Sequence, residues 1–378
     1  MTDTIVPAVP DPTWDIAPLP PGLDTPCIVV DLDRAEANAR WMGAAAAERG
    51  VALRPHVKTH KSIALARLQL DAGAAGITVG TLGEAEVMAA DGIDDIFVAY
   101  PLWAEGPRAD RLRSIHAKRP LIVGVDSAAG ADHLAAAVAG LSAPLRVLVE
   151  IDSGGHRTGV ADPVAAVAMA RHARDVGLAV LGVFTHGGHG YSAPGARVAA
   201  AADEVRLLGA AADALRADGF VVERISAGST PTAVFAAAGQ VNEIRPGTYL
   251  LGDRTQVALD AMPADGIALV VAATVVSSSV AGQFVIDSGA KSLTKDRAPF
   301  LAGFGSIPGY PTAVIERLYD YHAAVTIPSG APAPALGEVV AVVPNHVCPV
   351  VDLFDTFVAT RAGAIVGKWP VDARGRSG

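Results

Sequence analysis

Cysteine is nearly absent from this chain: two residues among 378, Cys27 and Cys348. That is too few for a disulfide scaffold, allows one bridge at most, and suits a reducing cytosol. A cationic excess is missing too. Lys and Arg number 30 against 39 Asp and Glu, a formal net charge of -9 with ten His neutral, which argues against a nucleic-acid partner. Charged residues make up only 18% and hydrophobic ones 51%, so there is enough apolar surface for a core and no compositional case for disorder beyond the ends. No G-x-G-x-x-G follows a strand-like run, which weakens any dinucleotide-binding reading. The opening MTDTIVPAVPDP lacks a basic stretch ahead of an apolar one, so no export signal is read. Residues 266–286 carry no charge and are long enough to span a bilayer, but their Val-rich halves flank a turn-like 277–283. Two buried strands are expected there, and a soluble cytoplasmic protein without membrane contact overall.

What is present has a rhythm. After a Pro-rich segment, 1–24, a strand-like stretch at 25–33 precedes an Ala- and Arg-rich helical run. Short β-branched runs then alternate with Ala-rich helical ones, near 51–57, 76–80, 95–100, 121–125, 145–151, 179–185, 221–227 and 242–249. Eight βα units predict an α/β fold, a closed (β/α)8 barrel over 34–265, more than an open doubly wound sheet. From 266 to 378 strand-like runs with few helical periods predict a second, C-terminal β-rich domain, which the stretch at 25–33 can join.

Barrel chemistry sits at the carboxyl ends of the strands, and there the polar residues gather. The first strand runs into Arg54-Pro55-His56-Val57-Lys58-Thr59-His60-Lys61, five of eight residues being potentially cationic. A lysine crowded by Arg54, His56 and Lys61 has a lowered pKa and more free amine, as an imine-forming nucleophile needs; a solvated basic loop has the same composition. Spacing does not choose between Lys58 and Lys61. Gly228-Ser229-Thr230-Pro231-Thr232 places small and hydroxyl residues between strand and helix, where backbone N–H groups form an anion site or an ordinary N-cap turn. Gly247-Thr248 after the eighth strand adds donors. In the β-rich domain, on an extended segment, His346 and Cys348 project to one side and can share a metal ion with positions left open for substrate; a buried Cys and a hydrogen-bonded His give the same pattern.

Taken together these segments resemble the D-threonine aldolase and D-serine dehydratase family, pyridoxal-phosphate enzymes with an alanine racemase-like N-terminal barrel (PLP fold type III). The resemblance spans nearly the whole chain, from Thr25-Pro26 through 54–61, 226–232 and Arg245-Pro246-Gly247 to Pro344-Asn345-His346-Val347-Cys348. It implies that Lys58 carries the cofactor as an internal Schiff base. It implies further that Gly228, Ser229 and Thr230, with Gly247 and Thr248, cradle the phosphate, that Tyr191 contacts phosphate or ring, and that Arg157 reaches the ring, with Arg245 its rival. His346 and Cys348 correspond to the family's metal pair, for zinc or manganese. Cysteine at the second position is the dehydratase habit and carboxylate the aldolase one. His186 and His189, in Thr185-His186-Gly187-Gly188-His189-Gly190-Tyr191, become candidate acid–base groups, although structural histidines fit there equally.

The expected function is therefore a pyridoxal-phosphate- and metal-dependent lyase acting on small D-β-hydroxy-α-amino acids, leaning to dehydration to a keto acid and ammonia. The alternative is retro-aldol cleavage to glycine and an aldehyde. A racemase stands third, because it gains nothing from His346 and Cys348, and a non-enzymatic cofactor-binding protein is the remaining contrast. The resemblance also implies a homodimer whose active sites are completed by the partner's β-rich domain.

Overall fold

Runs of Val, Ile and Leu become strands wherever both of their faces can be buried. The computed structural model describes residues 8–378; Pro7 and most of the stretch read for an export signal lie outside it. After β1 (Cys27–Asp31) and α1 (Leu32–Glu48) come β2 (Ala52–Leu53), α2 (Ile63–Asp71), β3 (Ile77–Val79), α3 (Leu82–Ala90), β4 (Ile96–Pro101), α4 (Pro107–Lys118) and β5 (Leu121–Val125). Then follow α5 (Ala128–Val138), β6 (Arg146–Glu150), α6 (Pro163–Asp175), β7 (Ala179–Phe184), α7 (Ala196–Ala217), β8 (Arg224–Ala227), α8 (Ala233–Ala236) and β9 (Glu243–Ile244). Every residue of β3 and β5 is buried, as parallel strands covered on both faces require. Caps fix where helices begin: Thr81, Ser127 and Asp162 each accept the amide three residues ahead, and Pro163 takes the first helical position.

The eight strands β2 to β9 form one parallel sheet in the order β2-β9-β8-β7-β6-β5-β4-β3. Its two ends meet through a parallel bridge between His56 and Thr78, supported by the Ala75 amide on the Leu53 carbonyl and the Thr78 amide on the Pro55 carbonyl, each 2.8 Å. The ring is the (β/α)8 barrel that the eight runs predict. Phe97, Ile122, Leu148 and Phe184 fill it, the two phenylalanines edge to face at 5.0 Å. Arg54, wholly buried, gives Nε to Glu243 at 2.7 Å and Nη2 to Asp95 at 2.6 Å, tying β2 to β9 and to the residue just before β4.

The chain packs as two compact units. One comprises 40–58, 63–247 and 375–378 and holds the barrel; the other comprises the segment up to Ala39, 59–62 and 248–374. The second is β-rich: β10 (Leu269–Ser277), β11 (Gln283–Ile286), β12 (Gly305–Ser306), β13 (Val314–Leu318), β14 (Ala323–Thr326), β15 (Val339–Pro344), β16 (Thr356–Arg361) and β17 (Ala364–Pro370), with short helices α9 (Arg254–Ala258), α10 (Ala290–Leu293) and α11 (Val347–Val351). Its sheet runs β13-β14-β11-β10-β1-β16-β17, with β15 also on β10 and β12 on β15. β1 lies antiparallel to β10 and parallel to β16, so the strand ahead of the first helix belongs here.

Residues 266–286 contain the β10–β11 hairpin, and among the described residues no helix is long and apolar enough to cross a membrane. Both cysteines are free. The compact unit begins at 248, ahead of the change in sequence texture near 266, because Tyr249, Leu250 and Leu251 are buried in it and the Ala268 amide bonds the Leu251 carbonyl.

Candidate active site

The first barrel strand is two residues long, and a tight turn at Val57–Thr59 follows it, burying Val57 and Thr59 and leaving Lys58 exposed between them. Lys58 forms no ion pair among the described residues. Two of the cations expected to crowd it point elsewhere. Arg54 is spent on Glu243 and Asp95 inside the barrel, and Lys61, in the other unit, places Nζ 2.6 Å from Asp352 Oδ1. The electrostatic neighbourhood is built instead by His56, His186, Arg157 and Arg245. Burial, then Lys58, Arg245, His186 and Arg157, hold the His56 imidazole well below its ordinary value. Burial, then Lys58, Arg157 and Arg245, push His186 down to about 3. Both rings are neutral near pH 7.

A cleft opens beside them, lined by Glu150, Asp152, Arg157, Thr158 and His186. Arg157 is exposed on its rim with no hydrogen bond or ion pair among the described residues. Its rival Arg245 is buried in the barrel, with its guanidinium 5.7 Å from the Phe97 ring and 5.3 Å from that of Phe184, and it donates to Ser226 Oγ and the Thr185 carbonyl. Two of its five N–H donors are thus used by the chain. Tyr191 and His186 lie with ring centres 6.3 Å apart. The His189 ring rests against Gly154, where a Cβ would come within 3.2 Å, and its Nε2 is 3.5 Å from Asp203 Oδ2.

The turn after β8 differs in detail from a cradle of free amides. The Gly228 amide donates to Glu204 at 3.1 Å, and the Ser229 amide to Thr232 Oγ1 at 2.9 Å. Gly228, at φ +79°, contributes a bend that other residues resist, with Ser229 and Thr230 buried just after it. Gly247 ends the barrel unit. Thr248 belongs to the other unit, where its hydroxyl lies 3.8 Å from Cys348 Sγ.

In that unit His346 is extended, but Cys348 is already in the first turn of α11, so the two do not meet by strand alternation. The chain's turn at His346 brings them together instead. Burial lowers the His346 pKa, yet hydrogen bonding and charge from Cys348, then Asp253 and Asp296, raise it to about 10. Nδ1 is 2.8 Å from Asp296 Oδ2, and Cys348 Sγ is 3.3 Å from Thr59 Oγ1, on the residue that follows Lys58 in the chain. A carboxylate on Nδ1 leaves Nε2 as the metal donor. An imidazole and a thiol so placed fit a divalent ion with open positions, and no group of three or more His, Cys, Asp or Glu among the described residues closes the site. The barrel unit suits pyridoxal phosphate in the same sense, with an amine at Lys58 that forms no ion pair among the described residues and an unpaired guanidinium at Arg157 on the cleft rim.

Three acidic residues had no role assigned from the sequence, although Glu150 opens the polar run after the fifth strand. Glu150, the last residue of β6, is buried with one oxygen on Thr158 Oγ1 and the other without a partner, and burial raises its pKa. Its place at a strand's carboxyl end was a usable signal. Glu204, mid-helix, and Asp296, fifty residues before His346, carried none.

Comparison with known proteins speaks to the family and the fold. The family model for the alanine racemase N-terminal domain matches residues 30–255, and one for a serine dehydratase domain matches 268–360. The chain is 34% identical to D-threonine aldolase from an Arthrobacter species, over 98% of this chain and 97% of that one. The structure of D-threo-3-hydroxyaspartate dehydratase from Delftia sp. HT23 superimposes with a TM-score of 0.85 at 34% identity, covering 92% of this chain and 97% of the other. A cysteine-to-alanine variant of D-threo-3-hydroxyaspartate dehydratase, solved in its metal-free form, gives the same values. Barrel, β-rich unit and relatives concur: this chain belongs to the D-threonine aldolase and D-serine dehydratase family of lyases, whose alanine racemase-like fold implies pyridoxal phosphate.

Proposed function

We propose that this chain is a pyridoxal-phosphate- and divalent-metal-dependent lyase that dehydrates small D-β-hydroxy-α-amino acids to a keto acid and ammonia. The observation that carries the reading is the hydrogen bond between Cys348 and His346, with a thiol at the position where the resemblance implies a carboxylate in aldolases. Bound pyridoxal phosphate supplies an aldehyde for the substrate amine and an electron sink at Cα, and a divalent ion supplies Lewis acidity at the β-hydroxyl. Lys58 Nζ would hold the cofactor and is the proposed base for the Cα proton. Arg157 meets the ring. A guanidinium only donates, so it leaves the ring a poorer sink than a carboxylate partner does, and assistance at the departing hydroxide becomes worth having. His346 Nε2 and Cys348 Sγ hold the ion, with imidazole and thiolate favouring zinc over manganese. Gly228 shapes the phosphate turn; Ser229, Thr230, Gly247 and Tyr191 are its proposed contacts. His186 and His189 border the leaving group's path as acceptors or donors of one proton.

Retro-aldol cleavage is the second reading, favoured by the 34% identity to D-threonine aldolase across 98% of the chain. Purified protein given D-serine, D-threonine or D-threo-3-hydroxyaspartate, with and without chelator, separates the two. Ammonia and keto acid lost on chelation support dehydration, and glycine with an aldehyde supports cleavage. Chelator-insensitive racemisation overturns both. A homodimer is part of the proposal, as the family resemblance implies. So is a cytoplasmic location, where free thiols persist.

A further inference from the structure

Helix α7 carries Glu204 with its side chain fully buried. A carboxyl in that position is costly unless donors reach it. One oxygen, Oε1, accepts two amides: Gly187 at 2.9 Å and Gly228 at 3.1 Å. The first lies between His186 and His189 in the loop after β7; the second opens the turn after β8. Both positions are closed to larger residues. A Cβ on Gly187 would lie 2.6 Å from Glu204 Cδ, and one on Gly228 would lie 3.1 Å from Ala233 Cα. Thr232, whose hydroxyl accepts the Ser229 amide, also meets the Glu204 carboxyl. His186 and Gly188 of the first loop line the barrel cleft.

We infer that Glu204 is a positioning residue that couples the two loops, so that seating an anion on the 228–232 turn also sets the loop carrying His186 and His189. The coupling rests on the functional reading above, in which that turn takes the cofactor's phosphate. Because the Gly228 amide is held by Glu204, the direction of the amides and hydroxyls that follow is fixed from behind. The same carboxyl fixes the Gly187 amide, and any shift in one loop is passed to the other through one atom.

The test uses the full chain freed of cofactor, titrated with pyridoxal phosphate, with pyridoxal, and with inorganic phosphate, while amide exchange is followed. In the unaltered protein, pyridoxal phosphate and phosphate are expected to slow exchange at both 228–232 and 186–191. Glu204→Ala is expected to bind pyridoxal phosphate about tenfold more weakly, to bind pyridoxal within about twofold of the unaltered protein, and to lose the response at 186–191. Glu204→Gln keeps a carbonyl acceptor and stays near the unaltered behaviour. If Glu204→Ala does not fold, Gly187→Ala, which displaces the same carboxyl from the other side, carries the comparison. An undiminished response at 186–191 in Glu204→Ala or Gly187→Ala overturns the coupling, as does an equal loss for pyridoxal and its phosphate. Failure of the unaltered protein to take up pyridoxal phosphate at all removes the functional reading and the coupling with it.

Discussion

Lys58 and Lys61 stand three residues apart in one basic segment, and their surroundings assign them opposite tasks. Lys61 is engaged with Asp352 at 2.6 Å, whereas Lys58 is exposed with no ion pair among the described residues. Lys58→Ala is therefore expected to abolish the imine absorbance at about 420 nm, while Lys61→Ala keeps it; spectra of the two variants mixed with pyridoxal phosphate decide. His186 ties stability to pH. Its folded pKa, about 3, lies below its ordinary 6.5, so on acidification the unfolded chain takes up a proton that the folded chain refuses. Its contribution is whole above about pH 6.5 and is lost as pH falls toward the folded value. Thermal unfolding at pH near 7 and near 5 should accordingly show His186→Asn losing less than the unaltered protein. Asp296 acts on the metal pair through the His346 tautomer: Asp296→Asn should weaken zinc binding about 10–100-fold in a chelator competition, with the fold intact by circular dichroism. None of this was legible from spacing alone. The basic segment reads as one cluster in the sequence, but whether a cation faces a pocket, a carboxylate or the barrel interior is decided by partners such as Glu243 and Asp352, nearly two hundred residues away or more.

At the level of elements, the eight barrel strands are legible because parallel strands buried on both faces are written as uninterrupted β-branched runs, LIVGV of β5 being the plainest case. Strands such as β13 and β17 are harder to read, since β13 has one buried residue and β17 none, so neither VIERL nor AIVGKWP writes a buried run. The His346–Cys348 pair was found for a partly mistaken reason: the segment turns helical at Val347, and it is the turn that brings the two side chains together. Arg54 is the element-scale surprise, a charge from the basic segment enclosed in the barrel wall. Arg54→Met takes from buried Glu243 its shortest ion pair, leaving it Arg224 at 3.4 Å and the Ser226 hydroxyl, and is expected to cost about 3 kcal/mol, read as a lowered urea midpoint with little change in slope.

For the whole molecule, the β-rich unit draws on three separate stretches of chain, and residues 59–62 belong to it although they continue directly from Lys58. The proposed homodimer is checked by sedimentation: a single species of twice the 38.4 kDa chain mass is expected. The barrel itself has a clasp. Seven of its eight joints are laced by paired strands, but β2 and β3 are fastened by one bridge and a few amides around His56 and Thr78. The stave with the loosest fastening is the one that leads straight to Lys58, so a cofactor anchored on that amine would cinch the hoop where it is slackest, and the Thr78 amide should become slower to trade its hydrogen for deuterium once the protein is loaded.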